Sequence, residues 1–399
     1  MERKLKLTEA VFSDTGRGLM CTKHIEEQEA VVTVPRQLLV TVKDALKALG
    51  LRQKLSSDTA VLALFLLKET QLKEAQAAPS FWQPYLLSVP FEFDTPLSVL
   101  AANGGSGERA WMKALPDEIQ EALAKQREYF AVDFESAAAA GRAVGVGVTR
   151  DRFLWAWFAV NTRCVSYSDP EQPGSQALAP LLDFLNHSDT AQVSAAYNVA
   201  EGRYEIRTLR PYRKGEQVFI FYGPHDNGAL YVDYGFTIPD NAMNSLCFDR
   251  ELRHLRVPHD SEGFARVKLK ILEDYHLHEK VTSEGKELSW KLRVALAVRT
   301  MTQAEYERRQ DWQGLVLGEV SSLGPASELR LTNALAAVLQ AKEAVEGHYV
   351  QGIRQALEAC RDGDGVGGNA TDVRVLTVFL QILEERFAMV AQLRTLSGL

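Results

Sequence analysis

The chain has 399 residues, a formal net charge of −7, 46% hydrophobic and 24% charged residues, ordinary proportions for a globular protein of two or three domains. That acidic balance leaves no basic stripe to displace counterions, which argues against nucleic acid as the main partner. Four dispersed cysteines, Cys21, Cys164, Cys247 and Cys360, offer neither a zinc spacing nor a disulfide framework and fit a reducing compartment. The start, MERKLKLTEA, lacks a signal-peptide core, and the apolar run Ala60–Leu67 is too short to cross a bilayer. The expectation is a soluble, intracellular protein.

Residues 1–46 read as β-rich. Thr15-Gly16-Arg17-Gly18-Leu19-Met20 places two glycines in a tight loop, and Glu29–Pro35 supplies a β-branched run closed by proline. The glycine pair lacks the third glycine of a dinucleotide fingerprint, so alone it reads as a hairpin turn. From Val42 to about Arg152 the pattern is helical. Ser57-Asp58 caps a buried helix over Ala60–Lys68, and Phe81, Trp82, Pro84 and Tyr85 form an aromatic cluster expected in the core. Residues 103–107 are a flexible loop, Trp111–Phe134 resumes helical periodicity, and the Ala/Gly/Val-rich run Ala137–Val148 reads as a mobile junction.

Asp151–Arg163 carries Phe153, Trp157 and Val160 at helical spacing, and Arg163 at its end suits a helix cap or a carboxylate partner. Tyr167–Gln176, rich in Ser, Pro and Gly, reads as a loop. Next come two alternating runs, Gln192–Tyr197 and Tyr204–Thr208, turned at Glu201-Gly202. A turn at Lys214-Gly215 then leads to Val218–Tyr222, giving an expected meander of three strands. After Arg250 the sequence is helical, with segments Gly263–Tyr275, Ser289–Gln310, Ala326–Arg361 and Thr371–Leu396 and a Gly/Asp-rich connector over Arg361–Ala370.

Several motifs fail on their chemistry. Asn186-His187-Ser188 and Asn369-Ala370-Thr371 match a glycosylation sequon without a route to that machinery. Asp183, His187 and Ser188 hold the letters of a hydrolytic triad, but no GxSxG elbow accompanies them. Asp362–Gly365 lacks the remaining ligands of a calcium loop, and His276 and His278 read as surface residues rather than metal ligands.

What remains is Asp183, Asn186, His187 and Ser188 at the end of one apolar segment, then Tyr222-Gly223, Asn227 and Tyr234-Gly235-Phe236. With GRGL upstream and the blocks WAWFAVNTR, ALAPLLDFLNHS and FIFYGPHDN, this order resembles the SET-domain methyltransferases. More narrowly, it resembles their split-SET class, typified by the Rubisco large-subunit methyltransferase. The resemblance implies an α+β fold: a β-rich, knotted SET core split by a helical insert and followed by an all-α C-terminal domain. The implied layout is an N-terminal SET part over 1–46, the insert over 47–150, the catalytic SET part over 151–249 and a helical substrate-binding domain over 250–399.

It further implies S-adenosyl-L-methionine as cofactor, no metal, and a protein-lysine N-methyltransferase acting on histone or non-histone proteins. A histidine or other N-methyltransferase of the same fold, or a non-catalytic binding module, stands as the alternative. Residue by residue, the resemblance implies cofactor contacts from Thr15, Gly16, Arg17, Arg163, Asp183, Asn186, His187, Tyr222 and Phe236. Tyr234 and Tyr222 are the implied catalytic pair. The family often has an acidic residue where Thr15 stands. A protein substrate is the implied partner, with no nucleic acid or membrane, for a monomer in nucleus and cytosol.

Overall fold

Partners far apart in sequence decide how the strands pair. The computed structural model describes residues 6–74, 80–169, 172–258, 260–362 and 370–399. It divides into one unit of Met1–Arg109 with Asp117–Pro239 and another of Ala110–Pro116 with Asp240–Leu399. Among its described residues the first unit holds ten strands: β1 (Leu7–Phe12), β2 (Gly16–Cys21), β3 (Ala30–Pro35), β4 (Val40–Thr41), β5 (Cys164–Asp169), β6 (Gln172–Leu178), β7 (Asn186–His187), β8 (Val193–Asn198), β9 (Arg203–Thr208) and β10 (Gln217–Ile220). They form three small sheets of order β1-β2-β10-β7, β3-β9-β8 and β4-β6-β5. Apolar side chains between the sheets, among them Leu19, Ile25, Val32, Ile206 and Val218, make one core.

Two strand expectations need correction. β8 and β9 pair antiparallel as the alternation suggested, but β9's other neighbour is β3, while β10 lies between β2 and β7. The connection over residues 209–216 contains Pro211 and is too long for a tight hairpin. Its backbone turns away instead: Ile25 and Tyr212 exchange two hydrogen bonds of 2.9 Å, and Gly215 N–H donates to Cys21 O at 2.8 Å. The second correction concerns Tyr167–Gln176, which is not a loop. β5 and β6 pair from Cys164↔Leu178 to Asp169↔Gln172, and β4 completes the sheet. Ser168, Pro173 and Gly174 are exposed, whereas Tyr167 is fully buried and packs on Tyr197 at 4.7 Å.

The insert between β4 and β5 is helical. Its central helix, Asp58–Glu74, is buried at every position from Ala60 to Leu67, as a helix that is apolar all round must be. Asp117–Val144 and Arg150–Asn161 pack beside it, with Phe130, Phe153 and Trp157 interlocked at 5.7–5.8 Å. The expected mobile junction over Ala137–Val148 is instead the end of the Asp117–Val144 helix. Its alanines are strong helix formers, Ala137 is buried, and the helix stops at Gly145.

In the second unit, Pro325–Asp362 and Ala370–Leu396 are the long helices. Trp111 explains why residues 110–116 belong here: its indole N–H donates to Asp372 Oδ1 at 2.9 Å and its ring meets Phe379 at 6.1 Å. The helix expected over Ser289–Gln310 is broken into Trp290–Thr300, Gln303–Glu307 and Arg309–Val316. Thr302 and Glu305 form a capping box that starts a new helix. Glu346, fully buried, accepts two 3.0 Å bonds from Arg386 and pairs with Lys342 at 3.0 Å. Most of the Arg361–Ala370 connector lies outside the described residues.

Candidate active site

The site grows from the sheet β1-β2-β10-β7. Parallel pairing sets Phe219 opposite Asn186 and Ile220 opposite His187, while antiparallel pairing sets Val218 opposite Leu19. Segments 16–21, 186–187 and 217–222 are thereby brought side by side. Asn186 Nδ2 donates to the carbonyls of Arg17 (3.0 Å) and Thr15 (3.3 Å), which fixes the glycine loop over its own strand. Gly18 permits this approach, because a Cβ there would stand 2.6 Å from Gln217 Nε2 and 2.9 Å from Asn186 Nδ2.

Two cavities flank this ladder. The first, 430 Å³, is lined by Asp14, Thr15, Asn186, His187, Phe219 and Phe236, with Thr237–Pro239 as a further wall. The second, 220 Å³, is lined by Arg163, Cys164, Asp183, Leu185, Tyr222 and Tyr234 among others. His187 and Tyr222 stand between them: their rings stack at 5.1 Å and Tyr222 N–H donates to His187 Nδ1 at 3.1 Å. A ring whose Nδ1 accepts carries its proton on Nε2 when neutral. Burial, opposed by the Ile220 carbonyl, depresses the His187 pKa and favours that neutral form. His187 is 5% exposed, and its Nε2 has no hydrogen-bond partner among the described residues.

In the second cavity Arg163 Nη1 donates to Asp183 Oδ2 and to its carbonyl, both at 3.0 Å, with the Asp183 side chain fully buried. Burial raises the Asp183 pKa, and the Arg163 charge works against that rise. Asp183 Oδ1 and Arg163 Nε have no partners among the described residues. Tyr222 Oη donates to Leu185 O at 2.9 Å, and its ring lies 5.0 Å from Tyr234. Burial lifts the Tyr222 pKa well above its ordinary value and pushes Tyr234 up to about 12, so both hydroxyls stay protonated at neutral pH.

The helix Asn227–Tyr234 aims Tyr234 and Phe236 into different cavities. Asp226 caps its start by accepting from Ala229 N–H at 2.8 Å. Gly235 ends it at φ +85°, where a Cβ would meet the Asp94 carbonyl carbon at 2.6 Å and Thr95 N at 2.7 Å. No other residue fits there. Asn227, 1% exposed, then clamps the chain beyond Phe236, donating to Ile238 O at 2.9 Å and accepting from Ile238 N–H at 3.0 Å.

The residues singled out in the sequence therefore divide. Thr15, Asn186, His187 and Phe236 line the larger cavity; Arg163, Asp183, Tyr222 and Tyr234 line the smaller. Gly16 makes the turn at φ +68°. Arg17 lines neither: its guanidinium lies over the Phe184 ring at 4.6 Å and donates to Ser88 O at 2.5 Å. Thr15 Oγ1 donates to Gln217 Oε1 at 2.9 Å, and the neighbouring Asp14 brings a carboxylate to the cavity. Sequence reading passed over Asp14, although an acidic residue at the glycine loop was its signal. The clamp by Asn227 had no local signal, since its partner Ile238 is eleven residues on.

The SET-domain family model matches residues 16–223. The human SET domain-containing protein 4 is 33% identical over 336 residues, covering 79% of this chain and 72% of that protein. The ribosomal lysine N-methyltransferase set11 of Schizosaccharomyces pombe is 27% identical over 304 residues, covering 76% and 72%. The actin-histidine N-methyltransferase of Danio rerio is 32% identical over 253 residues, but these cover 59% of this chain and 40% of that one. The SET domain of LSMT bound to lysine and AdoHcy superposes with a TM-score of 0.58 at 17% identity, covering 99% of this chain and 89% of that one. Rubisco LSMT bound to AdoMet gives 0.59 at 17% identity, covering 100% and 88%. The chain belongs to the SET-domain family of protein methyltransferases.

Proposed function

We propose that the protein is an S-adenosyl-L-methionine-dependent protein-lysine N-methyltransferase acting on histone or non-histone proteins in the nucleus and cytosol. The observation that carries this reading is the pair of cavities on either side of the His187–Tyr222 stack, one sized for a nucleoside cofactor and one narrow. A volume of 430 Å³ lies within the roughly 300–1,000 Å³ of small-molecule sites. The cofactor fits the residues present. Phe236 and Phe219 give apolar walls, and His187 Nε2 is a buried donor in need of an acceptor. Asp14, Thr15 and Asn186 would hold the same molecule from the glycine-loop side.

S-adenosylmethionine supplies an electrophilic methyl group on a positive sulfonium. The chain's residues must present a neutral amine to it in line, and positioning supplies much of such a displacement. A free lysine has a pKa near 10.4, so removing its proton at neutral pH costs roughly 4 kcal/mol. The aromatic walls of Tyr222 and Tyr234 lower that cost by desolvation. Asp183, held by two hydrogen bonds from Arg163, adds a polar wall to the same cavity. Because both tyrosine pKa values are raised, neither phenol serves as the base. Their hydroxyls orient the amine lone pair and act on charge that changes during transfer. Tyr234 is the principal catalytic residue in this reading.

The similarity to the zebrafish actin-histidine enzyme supports a second reading, transfer to a histidine ring nitrogen. Labelled methyl from S-adenosylmethionine, offered core histones and a cell lysate, separates the two once the product is hydrolysed to amino acids. Methyl-lysine is the expected product. Methyl-histidine establishes the second reading, and no labelled amino acid in either mixture contradicts both.

A further inference from the structure

The aromatic cluster Phe81–Tyr85, expected in the core, only partly reaches it: Phe81 is 68% exposed and Pro84 is exposed, whereas Tyr85 is buried. Tyr85 is 7% exposed, and its hydroxyl is buried without a hydrogen-bond partner among the described residues. A side chain kept for packing alone would be Phe, because a buried orphan hydroxyl is unfavourable. The nearby Asp183 carboxylate is likewise half satisfied. Arg163 serves Oδ2 and nothing described serves Oδ1.

The helix that carries Tyr85 is held against the site from both sides. Ser88 Oγ donates to Tyr85 O at 2.7 Å, Arg17 donates to Ser88 O at 2.5 Å, and the Trp155 indole donates to Pro90 O at 2.8 Å. Arg17 thus ties the glycine loop to the insert, which accounts for its absence from both cavities.

We propose that Tyr85 is a positioning residue of the acceptor cavity, its buried hydroxyl serving Asp183 Oδ1 as Arg163 serves Oδ2. Arg17 links the two segments, since its guanidinium lies over the ring of Phe184, next to Asp183, and donates to Ser88 O, three residues beyond Tyr85. The Tyr85 hydroxyl and Asp183 Oδ1 are both buried without a partner among the described residues. The groups that act on Asp183 are Arg163, Tyr85 and Arg17, and Asp183 in turn acts on Tyr222. A hydroxyl donor favours the ionised carboxylate that would attract a cationic acceptor. The helical insert would then contribute a side chain to the working site as well as support. This inference rests on the proposed lysine reading only for its kinetic consequences.

Tyr85→Phe removes the hydroxyl and keeps the ring. The deciding measurement is a carbon NMR titration of the Asp183 carboxyl, assigned with Asp183→Asn, in the protein alone and with S-adenosylhomocysteine. The Asp183 midpoint is expected to rise by about one unit in Tyr85→Phe. The acid limb of kcat/KM should move to higher pH with it, and kcat/KM at neutral pH should fall roughly tenfold. Cofactor affinity and thermal midpoint should stay unchanged. An unmoved Asp183 midpoint overturns the proposal, as does a loss of activity accompanied by loss of cofactor affinity and thermal stability. If wild-type protein transfers no methyl group, the proposed activity fails while the titration still decides the role of Tyr85.

Discussion

At the scale of single residues, the site depends on side chains with two duties at once. Asn186 holds the glycine loop through two carbonyls and lines the larger cavity, so its amide is a structural tie at a binding surface. Asn227 touches neither cavity among the described residues, yet it fixes the wall beyond Phe236. Asn227→Ala should cost about 2–3 kcal/mol, two lost hydrogen bonds with buried Ile238 groups left unpaired, as read from a shift in denaturant midpoint. It should also weaken cofactor binding; unchanged affinity would show that the wall is held by other means. The informative letters here were the polar ones. Asp183, Asn186, His187 and Tyr222 were visible because polar groups beside apolar runs need partners. Their division between two cavities was not visible, because it follows from the parallel pairing of β7 with β10.

At the scale of elements, local pattern identified helices and strands better than it identified neighbours. The alternation in β8 and β9 was legible, whereas the destination of β10 depended on backbone groups of Cys21 and Ile25, nearly two hundred residues upstream. Polar composition misled at β5–β6, since one face of that hairpin meets solvent. At Ala137–Val144, small residues suggested mobility where helix propensity and burial of Ala137 prevail. Hydrogen exchange should therefore find the amides of residues 137–143 protected like the rest of their helix; exchange at loop rates would contradict the assignment. Gly235 belongs to this scale because it joins a helix end to a cavity wall. Gly235→Ala should destabilise the unit by at least about 2 kcal/mol, the left-handed penalty plus a backbone collision. A thermal midpoint equal to wild type would show that Asp94 and Thr95 can yield.

At the scale of the whole molecule, buried ionisable groups set the response to pH. The His187 pKa is lowered in the folded state, so the unfolded chain binds the extra proton. Its contribution is complete above the ordinary histidine pKa and declines as pH falls toward the lowered one. Glu205, Glu305 and Glu346 are also lowered, despite burial, by their arginine and other partners. Their contributions persist above the ordinary glutamate value and disappear in acid below it. Denaturant midpoints taken at about pH 7.5 and about pH 5 should thus differ more for wild type than for His187→Asn. An equal difference would remove His187 from the account. In the C-terminal unit, Arg386→Leu leaves Glu346 with Lys342 alone and should cost about 3–5 kcal/mol, measured by equilibrium unfolding.

The central claim is that two cavities share one reaction, with cofactor on the Phe236 side and acceptor on the Tyr234 side. The most direct test measures calorimetric affinity for S-adenosylmethionine and single-turnover methyl transfer in Tyr234→Phe and Phe236→Ala. The account predicts opposite patterns. Tyr234→Phe should keep cofactor affinity and lose about a hundredfold in transfer rate, whereas Phe236→Ala should lose affinity first and recover rate as cofactor is raised. Full transfer activity in Tyr234→Phe, or no binding of the cofactor by wild-type protein, would contradict it.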